Sequence, residues 1–365
     1  MIEITLTENS SCQISPNQPS FTIGKLGMNS DDFDVLIDEN TPINWEVFED
    51  IDSIKWFVYH GNDLGFISLS EKRKISHFTW YPTKHLTVNF NKSQIRGLTI
   101  ESKKLLTLVL GQNIFELSLF GELNNYAISG IPFRQHLTLG PNTTNTLESY
   151  QIPHFSGLQG CCSLTILNQA DKQAIDLDFL NRYKEISSLN IHGNCTNWKV
   201  LKKIGNLNTL GLRFIPDLSD FPALSNFPNL ITCIGYKIEE NSGNKLLEET
   251  EYISQINPDG FYKISDLRKS EWLIHHAQSP FLWWKSGMEE FALNKYQIAL
   301  KSLKISKTEN EVVNALRAFL NPFKGLDYIK KSQQDDLFYA IEKLLKETTI
   351  HIPKSRLKEL FEAVF

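Results

Sequence analysis

An apolar triplet recurs nine times between Ile54 and Gly235, and it restricts the fold of this chain more than any other feature. The second member follows the first by three residues, and the third follows the second by two. First anchors fall at Ile54, Ile75, Ile95, Ile114, Arg134, Cys161, Ile186, Leu207 and Leu230. Middle anchors are Phe57, Phe78, Leu98, Leu117, Leu137, Leu164, Leu189, Leu210 and Cys233. Third anchors run from Tyr59, Trp80 and Ile100 to Leu212, and the series fails at Gly235. Successive units are spaced by 21, 20, 19, 20, 27, 25, 21 and 23 residues. One such unit cannot bury its apolar side alone, so a period in the twenties implies stacked neighbours, a solenoid. Anchors two apart lie on the same side of a strand. The expected architecture is an α/β solenoid, a curved parallel sheet of about nine units, followed by a small all-α domain.

Residues 1–53 read as an N-terminal cap. Ile2, Ile4 and Leu6 alternate like a strand, and the stretch from Asn29 reads as a loop. Thr41 and Pro42 fit the start of a short helix through Trp45, Phe48 and Ile51. Residues 54–238 hold the repeats. The early units are short and predict extended or turn-like returns. The longer ones leave room for helices at Asp178–Lys184 and Trp198–Ile204. Leu106, Leu108 and Leu110 predict a second strand within one unit. Glu239–Lys245 reads as a polar, flexible boundary.

Residues 251–365 change to helical spacing. Ala292, Tyr296, Ala299 and Leu303 share a face, as do Val312, Leu316 and Phe319. Leu337, Ile341 and Leu344 mark a third helix, and Leu357, Leu360 and Phe361 a last one after Pro353. Thr308 and Glu311 form a capping box ahead of the second. The cluster Trp272, Phe281, Leu282, Trp283 and Trp284 is expected to plug the last turn of the solenoid.

The run Ile54-x-x-Phe57-x-Tyr59-x-x-Asn62-x-Leu64 resembles the leucine-rich-repeat consensus. So does Ile186-x-x-Leu189-x-Ile191-x-x-Asn194, and the spacing from Leu218 to Leu230 is similar to that family's back side. The resemblance covers residues 54–238. Thr83, Lys103, Glu122, Gln169 and Ile215 stand where the family has asparagine, which implies an irregular member with an interrupted asparagine ladder. A parallel β-helix remains the alternative.

Composition narrows the function classes. Hydrophobic content of 41% and charged content of 22% place the chain with globular proteins. No apolar run approaches the roughly 20 residues that span a bilayer. Met1-Ile-Glu-Ile-Thr lacks the basic start and apolar core of a secretory signal, and the five cysteines, several of them at anchor positions, suit a reducing compartment. The expected location is cytoplasmic. Residues 1–250 carry 20 Lys+Arg against 27 Asp+Glu, and residues 251–365 carry 17 against 15. An acidic sheet is a poor phosphate binder, so nucleic acid is not the expected partner and a basic protein is.

The expected binding face is the side opposite the anchors. Trp56, His77, Glu116 and His136 stand in the column before the middle anchor. Tyr81, Glu101, Phe120, Leu167, His192, Arg213 and Tyr236 stand after the third anchor, with exposed Phe214 beside them. The column between them, rich in Thr and Ser, is ordinary for an exposed sheet face. Large rings with arginine are the usual interface anchors, so the outer columns are the partner-binding candidates. The histidines are scattered over different units, and neither a metal site nor a cofactor is expected. No phosphate loop or nucleophile motif is present. The expected function is a non-enzymatic protein-binding module, in its most concrete form a bacterial toxin-neutralising (immunity-like) protein. One alternative is an effector or enzyme with activity in the helical domain, although residues 251–365 contain no cysteine nucleophile. The other is an adaptor with two partners.

Overall fold

The computed structural model describes residues 1–130, 132–144 and 146–365. They form two compact units, Met1–Ile274 and His275–Phe365. The first is built on a sheet of twelve parallel strands. In chain order these are β1 (Ser20–Lys25), β2 (Val35–Ile37), β3 (Trp56–Tyr59), β4 (Ile75–Trp80), β5 (Ile95–Ser102) and β6 (Glu116–Gly121). There follow β7 (His136–Pro141), β8 (Ser163–Leu167), β9 (Ser188–His192), β10 (Thr209–Ile215), β11 (Thr232–Ile238) and β12 (Phe261–Ser265). Their spatial order is β2-β1-β3 and then sequential to β12.

The register is the one the anchors dictate. Phe57 pairs with Phe78, Phe78 with Leu98, Leu98 with Leu117, and Leu117 with Leu137. Leu164, Leu189, Leu210 and Cys233 continue the row. All nine middle anchors are buried. A one-residue slip would turn every anchor to water, and each buried Leu or Ile contributes roughly 1.5–3 kcal/mol, so burial fixes the pairing.

The chain leaves the long sheet between strands and returns. From β4 to β7 it passes through Leu86–Asn89, Leu106–Leu110 and Tyr126–Gly130, which pair in parallel as a second sheet. From β7 to β10 it passes through Tyr150–Gln151, Ile175–Asp176 and Cys195–Thr196, a third. Leu106, Leu108 and Leu110 are buried, as their alternation predicts. The expected helices after residues 178 and 198 are short 3-10 turns, Leu177–Arg182 and Trp198–Lys203.

Several local expectations change. The return from β3 is an α-helix, α1 (Gly65–Lys72), where an extended or turn-like segment was expected; Phe66 and Leu69 anchor it to the core. Near residue 45 a 3-10 helix, Trp45–Phe48, is preceded by Asn44 and not by Thr41. The Asn29 loop holds another, Ser30–Asp32, with Asn29 accepting from the Asp31 amide. Arg134 is exposed and its neighbour Phe133 is buried in its place. At Gly235 a side chain would collide with Ile238 and Ile264, so those neighbours occupy the space of the missing anchor.

The sheet also outruns residues 54–238 at both ends. β1 and β2 extend it before the first repeat, and β12 pairs with β11 after the last. The polar stretch from Glu239 begins α2 (Glu240–Ile256). The Glu239 carboxylate accepts from the amides of Asn241 and Ser242, so acidic and polar residues there serve as a helix N-terminus. Residues 251–274, read from sequence as part of the helical domain, therefore lie with the sheet, and the units divide within α3 (Ser270–His276).

The second unit contains α4 (Met288–Ile305), α5 (Glu309–Leu320), α6 (Lys331–Leu345) and α7 (Lys354–Glu362). The Thr308–Glu311 capping box is formed. Phe281 and Trp284 belong to this unit's own core, with Phe319, Phe323, Leu337 and Ile341. The Trp284 indole donates to Asp336 at 2.8 Å. Trp272 sits in the first unit, under the Arg268 guanidinium at 4.9 Å.

Candidate binding face

Alternation along each strand gives the long sheet one buried side and one accessible side. On β3, Phe57 and Tyr59 are buried while Trp56 is 56% exposed and Val58 is half-buried. The buried middle and third anchors recur on the strands from β4 to β10, and pairing in register lines up the three columns, placing Trp56 beside His77 and Glu116 beside His136.

Trp56 and His77 stack at 5.8 Å, and the His77 Nε2 lies 2.9 Å from the Thr99 hydroxyl. A side chain at Gly97 would strike the His77 ring at 2.3 Å, so that glycine is what lets the imidazole lie across the next strand. Phe120 lies across Gly140 in the same way. Glu116 and His136 are exposed, and β12 adds Phe261 to this column at 55% exposure.

The column beyond the third anchor gathers its residues into three groups. Tyr81 stacks on His60 at 4.1 Å, nearly parallel, and Phe33 meets His60 edge-on. Tyr81 and Glu101 line a cleft of ≈ 260 Å³ with His60, Lys25, Lys103 and Lys104. Phe120 and Leu167 share a second cleft of ≈ 260 Å³ with Asn142, Thr143, Asn168 and Lys172. His192, Phe214 and Tyr236 form a row of edge-on rings. Arg213 reaches Asn190 at 3.4 Å.

Phe214 corrects the expectation of exposure: it is only 4% exposed. Its backbone is left-handed, with φ 57, which breaks the strand alternation and returns the ring to the protein. Lys237 follows the same course one strand later, with φ 52 and no exposed surface. The partner-binding candidates did not include His60, Lys25, Lys103, Lys104 or Lys172. His60 was visible as Tyr81's neighbour in the outer column. The lysines come from loops whose direction no strand period sets.

Asparagines carry part of a ladder beneath this edge, Asn62 and Asn194 at the consensus positions and Asn168 one residue before Gln169. The Asn62 carboxamide accepts from the amides of Thr83 and Lys84 and donates to Asn40 and to the Thr83 hydroxyl. Thr83 thus serves as the ladder's acceptor where asparagine is missing. Asn168 donates to the carbonyls of Gln173 and Asn194, and Asn194 to that of Lys172.

Three histidines of the face are held towards the neutral form. Burial lowers the pKa of His60, and Lys25 adds to the effect. Burial also lowers His77, although Glu116 opposes it. His192 is pushed down to about 4, first by burial and then by the charge of Arg213. A histidine whose folded pKa lies below its unfolded value stabilises the protein above the unfolded pKa, near 6.5, and loses that contribution as pH falls towards the folded one. The stability of the wild type should therefore drop more between pH 6.5 and 4.5 than that of His192→Gln, by about 2 kcal/mol. Urea unfolding at both pH values checks this, and identical slopes would refute it.

Among the described residues no group of three or more His, Cys, Asp or Glu is gathered as a metal site, and no helix is long and apolar enough to cross a membrane. The chain matches no protein-family model, no curated protein and no solved structure.

Proposed function

We propose that the accessible side of the long sheet is the partner-binding surface of an irregular leucine-rich-repeat-like solenoid, and that the protein is a non-enzymatic binding module. The observation that carries this reading is the alignment of large polar-aromatic side chains in fixed columns over a parallel sheet. Columns held at strand spacing, about 4.8 Å, present side chains as a rigid array at little further ordering cost. Alternation of one long and two shorter parallel sheets along the chain supports the solenoid.

The partner we favour is a basic protein. Glu101 and Glu116 are exposed on the face, its shifted histidines stay neutral near pH 7, and residues 1–250 carry excess acid. A toxin-neutralising role is the most concrete form of this reading. Buried thiols support a reducing, cytoplasmic setting: burial raises Cys161 and Cys233 each to about 12, and neither is a reactive thiolate at neutral pH.

The test is affinity capture from source cells with the full chain, then titration of the captured partner. Tyr81→Ala and Phe120→Ala are expected to weaken binding roughly tenfold or more, as central ring anchors do. Unchanged affinity in both variants would remove the face from consideration.

A further inference from the structure

A second site lies at the other end of the strands. A cleft of ≈ 380 Å³ opens where β4, β5 and β6 begin, lined by Lys74, Ile75, Ser76, Gln94, Arg96, Asn113 and Phe115. Two of these residues are cations and none is a carboxylate. Among the described residues neither Lys74 nor Arg96 forms an ion pair with an acidic side chain, whereas the nearby Lys72 is held by Glu49 at 2.5 Å. Both cations are exposed. The Arg96 guanidinium lies 5.6 Å from the centre of the Phe115 ring, and that ring is 43% exposed.

The walls are fixed independently of any ligand. The Gln94 carboxamide donates to the Glu71 carbonyl at 2.8 Å, and that of Asn113 to the Ser93 carbonyl at 2.8 Å. Each amide nitrogen retains a second N–H. Four of the backbone amides here are already bonded: Ile75 to the Gln94 carbonyl, Ser76 to Lys55, Gln94 to Ser70 and Phe115 to Arg96. Recognition therefore falls to side chains: one planar guanidinium, one ammonium, one hydroxyl and a flat apolar ring.

We propose that this cleft binds a compact organic oxyanion, a carboxylate or phosphate joined to a flat apolar group. Arg96 would take the oxyanion in a forked pair of hydrogen bonds, with Lys74 adding a point charge and Phe115 stacking on the apolar part. The unit's overall acidity argues against a long polyanion, whose charges would run beyond two cations onto negative surface. The oxyanion can come from a free metabolite or from a side chain of a protein, and the two share this chemistry.

The experiment uses the full chain and calorimetric titration with phenyl phosphate, benzoate, inorganic phosphate and a short glutamate-rich peptide. Phenyl phosphate is expected to bind more tightly than inorganic phosphate, and Arg96→Gln to weaken it at least tenfold. Lys74→Gln should weaken it less and reduce the salt dependence. Phe115→Leu should weaken phenyl phosphate while leaving inorganic phosphate unchanged. Tighter binding of the peptide than of phenyl phosphate assigns the oxyanion to a protein source, and the reverse to a free ligand. No binding of any probe at millimolar concentration, or equal binding by the wild type and the Lys74→Gln/Arg96→Gln double variant, overturns the proposal.

Discussion

Trp80→Ala is expected to destabilise the first unit by about 3–5 kcal/mol, whereas Tyr81→Ala, one residue later, should cost less than about 1 kcal/mol. The two side chains leave β4 on opposite sides. Trp80 has no exposed surface, its ring lies 5.4 Å from Phe66, and its indole donates to the Gly61 carbonyl at 2.9 Å. Truncation removes one of the largest buried side chains, opens a cavity and leaves a buried carbonyl without its donor. Tyr81 is half-buried and stacks only on His60 among the rings. Chemical denaturation of both variants, with folding checked by circular dichroism, decides the matter. Equal losses would mean that the buried and accessible sides have been interchanged.

Arg73→Met is expected to cost about 3–5 kcal/mol, although it keeps most of the side chain's bulk. The guanidinium is 8% exposed and donates to the carbonyls of Phe48, Ile51 and Ile54. Burial lowers its pKa, with Asp52 opposing, yet arginine remains charged at any working pH. One side chain thus satisfies three carbonyls at the turn that leads from the Trp45–Phe48 helix into β3. Methionine would leave the Ile54 carbonyl without this donor and would strip the charged donor from the Phe48 and Ile51 carbonyls, which keep only the amides of Ile51 and Ile54. Arg73→Lys should recover only part of the loss, since an ammonium on a flexible stem cannot reproduce the planar fork. Hydrogen exchange should show the opening concentrated between residues 44 and 56. A fully stable Arg73→Met would show that water or backbone adjustment satisfies these carbonyls.

Legibility followed the physics of each element. The strand positions from β3 to β11 and their register could be read because burial acts on side chains of period two, and Leu98, Leu117 and Leu137 announce the buried side without help from distant residues. The capping box at Thr308 was legible for the same local reason. α2 was missed because its first turn is polar. Polar residues at a helix N-terminus and in a loop look alike until the amides they cap are known. β12 was missed because Phe261, Lys263 and Ser265 carry no apolar period, and their strand exists through pairing with β11. On the candidate face the columns were legible, but the side of Phe214 was not, because a single positive φ reverses it.

Which residues repeat, which side of each strand is apolar, and hence the row in which the anchors meet all follow from the order of the amino acids alone. These follow from side-chain alternation and the hydrophobic effect, both local properties. It took the folded chain to bring Arg73 to three carbonyls of an earlier segment, Ile238 and Ile264 into the place of the missing anchor at Gly235, and Lys74, Arg96 and Phe115 into one cleft. Those meetings join residues on different strands and loops. Their distances depend on how the stacked segments turn back on one another, which no spacing within a single segment encodes.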